Sequence, residues 1–147
     1  MAKSFKGRVI AGGSWKGEAV VTKYGFNTLA SFKKSVLAGA SEVTVSDQCN
    51  PDLFGKKITG IALCLPRTIG STTGGMVLQT VCSMNLNPKA MLFSEHIDSL
   101  AASGIVLAKV WENSDIIAID KLGDEFLDYV KDGMMVEISE DGMVKVE

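Results

Sequence analysis

The strongest limit on the fold comes from residues 57–93. An apolar run at 57–65 leads into a loop rich in glycine and hydroxyl residues. A segment at 73–84 follows, with Met76, Val77, Val81 and Met84 at helical spacing, and then a second apolar run, Ala90–Phe93. This gives the middle of the chain an α/β rhythm. The spacing predicts a helix at 96–103 closed by Gly104, strands at 105–110 and 116–119, and a short amphipathic helix at 124–130 stopped by Gly133. Both ends read as β structure. Short apolar runs at 8–11 and 18–22 are separated by Gly12, Gly13, Ser14 and Gly17, and the runs 134–138 and 143–146 flank Asp141-Gly142, a strong hairpin signal. Residues 26–32 fit strand or helix. Residues 33–40 follow them, with Gly39 suited to a helix end, and 43–45 form a short β-branched run before the polar loop 46–52. The expectation is one mixed α/β domain over residues 1–147, its short strands able to curl into a barrel.

At 147 residues the chain fits a single core. A domain of about 150 residues buries roughly two-thirds of its unfolded surface and folds without staples. Apolar residues make up 46% of the sequence, and the surplus covers either a subunit interface or a large core. No apolar run approaches the ~20 residues that span a membrane. The net charge of −2 and the paired lysines Lys33–Lys34 and Lys56–Lys57 make no basic stripe, so nucleic acid is not an expected partner. Three cysteines without close pairs, Cys49, Cys64 and Cys82, argue for a reducing compartment. Residues 1–10 hold Lys3, Lys6 and Arg8 with no apolar stretch behind them, so a cytoplasmic location is expected.

Chemistry concentrates in Pro66-Arg67-Thr68-Ile69-Gly70-Ser71-Thr72-Thr73-Gly74-Gly75, between the predicted strand and helix. Glycines let the backbone turn sharply, a hydroxyl can cap the helix, and free N–H groups at its start attract anions. A carboxylate or phosphate guest and a ligand-free cap fit this pattern equally. Ser71 is a poor base unaided and needs donors or cations to hold its alkoxide. Arg67, four residues earlier, is either a carboxylate clamp or an ordinary surface arginine. A Ser71–His96–Asp98 triad can be written, but Asp98 follows His96 by only two residues, which suits ring orientation poorly, and a helix-start or surface role for His96 is expected instead. The cysteines lack the short spacings of zinc or iron–sulfur ligand sets, so no metal site is expected in this chain. Asp47, Asn50 and Asp52 either line a site or form Asx turns around Pro51.

Several blocks then read together: Phe26-Asn27-Thr28-Leu29-Ala30-Ser31-Phe32; Asp47 with Asn50-Pro51-Asp52-Leu53-Phe54-Gly55; Gly70 through Gly75; and Leu92 through Leu100, continuing into Leu122-Gly123-Asp124-Glu125-Phe126. From about Phe5 to the C-terminal hairpin the chain resembles the small subunit, or swivelling domain, of aconitase X. The resemblance implies a swivelling β/β/α domain, barrel-like, that closes over a large subunit carrying the iron–sulfur cluster. It implies that Ser71 is the general base of a dehydration in which the cluster iron acts as Lewis acid on the departing hydroxyl. Arg67 and the loop amides from Gly70 and from Thr72, Thr73 and Gly74 to Gly75 would hold the carboxylate of a small hydroxy-acid substrate, with Asn27, Asp47 and Asn50 lining the site. One branch of the family dehydrates 5-phosphomevalonate and tends to carry a basic residue before the Gly-Ser pair, where this chain has Ile69. That departure resembles the bacterial branch, which dehydrates cis-3-hydroxy-L-proline, and hydroxyproline is the expected substrate. A stand-alone anion-binding or scaffolding module is the alternative of another class.

Overall fold

A computed structural model of the chain describes residues 2–70 and 73–147. Eight strands form one sheet. In chain order they are β1 (Lys3–Lys6), β2 (Arg8–Ala11), β3 (Trp15–Val21), β5 (Ala62–Leu65), β7 (Ala90–Phe93), β8 (Ile117–Asp120), β9 (Met135–Ile138) and β10 (Met143–Val146). Their spatial order is β1-β10-β9-β3-β5-β7-β8-β2. The two edges, β1 and β2, are therefore consecutive in sequence with only Gly7 between them, which forces the sheet to curl almost into a barrel. Gly7 is the corner. A Cβ there would stand 2.5 Å from Ile119 Cγ2 and 2.6 Å from the Asp120 carbonyl oxygen. β3 joins two regimes, its first half pairing antiparallel with β9 and its second half parallel with β5. The strands β5, β7 and β8 continue parallel.

Helices α1 (Thr28–Leu37), α2 (Gly74–Ser83) and α3 (Ser99–Trp111) form a layer, and α4 (Asp124–Tyr129) stands apart from it. Strand alternation sorts the core into two clusters. Leu63, Leu65, Met91, Phe93 and Ala118 pack with Phe32, Leu78 and Ile105 of the helix layer. Ala62, Cys64, Ala90, Leu92, Ile117 and Ile119 pack with Phe5, Val136, Val144 and Phe126 inside the barrel. Covered on both faces, the parallel strands need continuous apolar runs, which is why β5 and β7 were legible. Each fully buried Leu, Ile or Phe contributes about 1.5–3 kcal/mol of apolar burial. Inside the barrel, Phe5 meets Phe126 edge to face at 5.4 Å.

Several boundaries differ from the sequence reading. Residues 105–110 continue α3 rather than forming a strand, and Gly104 lies inside that helix. The β-branched run resembles a strand, yet the buried residues Ala101, Gly104, Ile105 and Ala108 follow a helical period. Gly104 is there for packing: a Cβ on it would stand 2.4 Å from the Gly75 carbonyl oxygen, and one on Gly75 would stand 2.5 Å from that of Leu100. The two glycines let α2 and α3 touch backbone to backbone. The strand expected over 57–65 shrinks to β5, because Gly60 turns at φ +75°. The ambiguous 26–32 segment splits into β4 (Phe26–Asn27) and the start of α1, which ends before Gly39 at φ +64°. The helix expected from residue 96 begins at Ser99, and 43–45 contributes one bridge, Thr44 to Lys57. β1 went unforeseen because it carries one buried apolar residue, Phe5, among exposed polar ones.

Candidate functional site

After β5 the chain forms a two-residue strand, β6 (Thr68–Ile69), which pairs parallel with β4, placing Phe26 opposite Thr68 and Asn27 opposite Ile69. The Phe26 N–H donates to the Arg67 carbonyl at 2.9 Å. Asn27 then caps α1, its Oδ1 accepting from the Ala30 N–H at 3.1 Å. Gly70 follows at φ +115°, and a Cβ on it would stand 3.0 Å from Asn27 Oδ1. Backbone conformation and clearance both call for glycine here. Beside them lies a cavity of about 230 Å³, with Thr68, Ile69 and Gly70 on one side and the first turns of three helices on the other: Thr28 of α1, Gly74 of α2, Leu100 and Ala101 of α3. Three positive dipole ends thus meet at one opening, which favours negative charge there.

Asp98 is the one charged side chain lining the cavity among the described residues. Its Oδ2 caps α3 by accepting from the Ala101 N–H at 3.0 Å, and its Oδ1 accepts from the Thr68 hydroxyl. The loops after β5 and β7 run together, with the Ser94 N–H donating to the Leu65 carbonyl at 3.0 Å and the Glu95 N–H to the Pro66 carbonyl at 3.2 Å. That pairing sets Arg67 Nη1 3.1 Å from Glu95 Oε2. Both side chains are about half exposed, so the pair is worth at most about 1 kcal/mol and an incoming carboxylate can displace Glu95.

Of the residues predicted from sequence, Gly70 and Gly74 line this cavity and Asn27 abuts Gly70, whereas Arg67 is not among its lining residues and Thr73 faces the groove between α1 and α2. Thr73 holds the N-cap position of α2, its carbonyl accepting from the Val77 N–H at 3.0 Å. Ser71 and Thr72 lie outside the described residues. Asp47 and Asn50 do not line this cavity. Both are buried in turns: Asp47 Oδ1 accepts from the Cys49 N–H at 2.9 Å, and Asn50 Oδ1 from Thr22 Oγ1 at 3.2 Å and from the Asp52 and Leu53 N–H groups at 3.1 Å. Sequence reasoning missed Thr68 and gave Asp98 only a triad role. An aspartate just before an apolar helical stretch was the available signal for a cap.

His96 and Asp98 have other partners than each other. His96 Nδ1 is 2.6 Å from the Ile97 carbonyl and Nε2 is 3.3 Å from Arg8 Nη2. The ring thus lies between a donor, the Arg8 guanidinium, and an acceptor, the Ile97 carbonyl. Arg8 in turn clasps the fully buried Asp120 with two hydrogen bonds of 2.9 and 2.7 Å. Burial alone would raise the Asp120 pKa, but the bonds from Arg8 and from the Ile97 N–H outweigh it and hold the carboxyl below its ordinary value.

The thiols do not fit a cluster. Cys64 is sealed inside the barrel and Cys82 against the sheet, and burial pushes both thiols up, away from the thiolate that ligation requires. Cys49 is exposed in a separate loop, and no group of three or more His, Cys, Asp or Glu side chains suited to a metal ion occurs among the described residues.

The decisive comparison is with the family described as Aconitase X swivel domain, which matches residues 4–146. The chain belongs to that family. Its fold superposes on the crystal structure of Thermococcus kodakaraensis aconitase X (holo-form) with a TM-score of 0.80, at 28% identity, over 99% of this chain and 98% of that one. Among relatives, the phosphomevalonate dehydratase small subunit of Thermococcus onnurineus is 32% identical over 143 residues, 97% of each chain. That of Thermococcus kodakarensis is 29% identical over 136 residues, 92% of this chain and 90% of the other. This aconitase X swivel domain is a small subunit of an aconitase X-type dehydratase, a hydro-lyase subunit.

Proposed function

We propose that this swivel domain works in the cytoplasm by closing over a large, cluster-bearing subunit, and that it supplies Ser71 as the base that removes a carbon-bound proton from 5-phosphomevalonate. One observation carries the reading: the strand–Gly70–helix corner that contains Ser71 in sequence borders a cavity ringed by three helix N-termini. A serine hydroxyl becomes a competent base only where its alkoxide is held by N–H groups and positive field, and this corner concentrates both. Arg67, exchanging Glu95 for a substrate carboxylate, orients the hydroxy acid. Departure of the hydroxyl is assigned in this reading to the cluster-bearing partner. An uncovered apolar surface supports the need for that partner. Leu37, Met76, Val110 and Trp111 on the helix layer are each 70% exposed or more, and a groove of about 420 Å³ runs between α1 and α2. The surplus apolar content of the sequence thus goes to both the core and the outer helix faces.

The names of the relatives favour phosphomevalonate over the hydroxyproline expected from sequence, and family membership weakens the stand-alone module. Hydroxyproline is kept as the second reading on a specific observation: the cavity offers Asp98 and a half-exposed Ile69 but no cationic lining side chain among the described residues. That lining suits the ammonium of a zwitterion better than a phosphate. The test is to assemble the chain with its large subunit, reconstitute the cluster, and follow water loss from both compounds. A kcat/KM for 5-phosphomevalonate at least about tenfold above that for cis-3-hydroxy-L-proline is expected. The reverse order installs the second reading, and loss of water from neither overturns both.

A further inference from the structure

We propose that Asp98 is a positioning residue for the dehydration, holding in register the two anchors of the segment that carries the base. The proposal rests on the reading of Ser71 as that base. The first anchor is β6, which ends two residues before Ser71, and Thr68 within it donates its hydroxyl to Asp98 Oδ1. The second is α2, which starts at Gly74 and is seated on α3 through the Gly75–Gly104 backbone contact. Both anchors are thereby referred to α3, whose N-terminus Asp98 caps through the Ala101 N–H at 3.0 Å. On the other flank Asn27, the cap of α1, leaves Gly70 only 3.0 Å of clearance. One carboxylate thus performs two separable tasks: Oδ2 ends the helix and Oδ1 fixes where the strand enters the loop. Released from Thr68, β6 keeps among the described residues its pairing with the two-residue β4 and the packing of Ile69 against Gly25, and the loop's entry point drifts relative to its exit. A drift of about 1 Å at a reacting group costs on the order of a hundredfold in rate.

The two tasks can be tested apart in the assembled two-subunit enzyme. Asp98→Ser keeps a capping oxygen but is too short to reach Thr68, whereas Thr68→Val removes the hydroxyl and leaves the cap intact. Each is expected to lower kcat roughly ten- to hundredfold, with KM within about twofold and the melting temperature and assembly unchanged. The double variant should be no slower than the worse single one, and Thr68→Ser should restore kcat. A merely structural role would instead lower the melting temperature and leave kcat alone. Wild-type kcat in Thr68→Val, or losses that multiply in the double variant, would overturn the proposal. Ser71→Ala measured alongside separates the failures: full turnover there removes the underlying reading, whereas lost turnover there with an unimpaired Thr68→Val removes only the role of Asp98.

Discussion

At the scale of single residues, Asp120 shows how charge is managed beside the site. Its carboxylate is fully buried, and Arg8 compensates it with two hydrogen bonds while the Ile97 N–H adds a third. A carboxyl depressed in the folded state contributes stability that is present above its unfolded pKa and is lost as the pH falls through the folded value. The wild-type protein should therefore lose melting temperature on acidification below about pH 4. Arg8→Ala weakens this effect, because the buried carboxylate loses both guanidinium bonds and keeps the one from the Ile97 N–H, so burial raises its folded pKa relative to the wild type. That variant should melt at a lower temperature near neutrality, with the deficit shrinking as the pH is lowered towards 4 and Asp120 protonates. Thermal melts of both proteins across that range check it, and a deficit independent of pH would contradict it. His96, by contrast, turns its ring nitrogens to Arg8 and to the Ile97 carbonyl rather than to Asp98.

At the scale of elements, the α2–α3 contact supports the site from behind. Gly104→Ala places a methyl group within about 2.4 Å of the Gly75 carbonyl oxygen, so the helices must part. The expected cost is about 2 kcal/mol, roughly 4–8 °C of melting temperature, with slowed turnover in the complex because Gly74 moves with α2. Exposed Ser103→Ala should change neither, and an unshifted melt for Gly104→Ala would refute the close contact. The same pair explains what was legible. β5, β7 and the Asp141-Gly142 hairpin were readable because their signals are local: unbroken apolar runs and a turn dipeptide. Gly104 was misread as a helix end because its reason lies in another helix, nearly thirty residues away. The site was half legible for the same cause. Gly70, Arg67 and Asn27 announce themselves through turn, charge and cap chemistry, whereas Thr68 and Asp98 matter through a tie between a strand and a helix that no local pattern records. Asp47 and Asn50 announce themselves equally, yet the structure uses them in turns.

At the scale of the whole molecule, a sheet whose edges are joined through Gly7 gives a rigid body, and three helix N-termini on one of its faces give that body an anion-attracting corner. The chain leaves much of its helix layer uncovered and its relatives are named as small subunits, so its chemistry is expected only in company. Purified alone it should eliminate no water, and with its large subunit it should turn over. The most direct measurement is the turnover of the assembled complex bearing Ser71→Ala. Gel filtration should find it assembled like the wild type, with kcat lower by about 10²–10⁴-fold. An assembled Ser71→Ala complex that dehydrates its substrate at the wild-type rate would contradict the account.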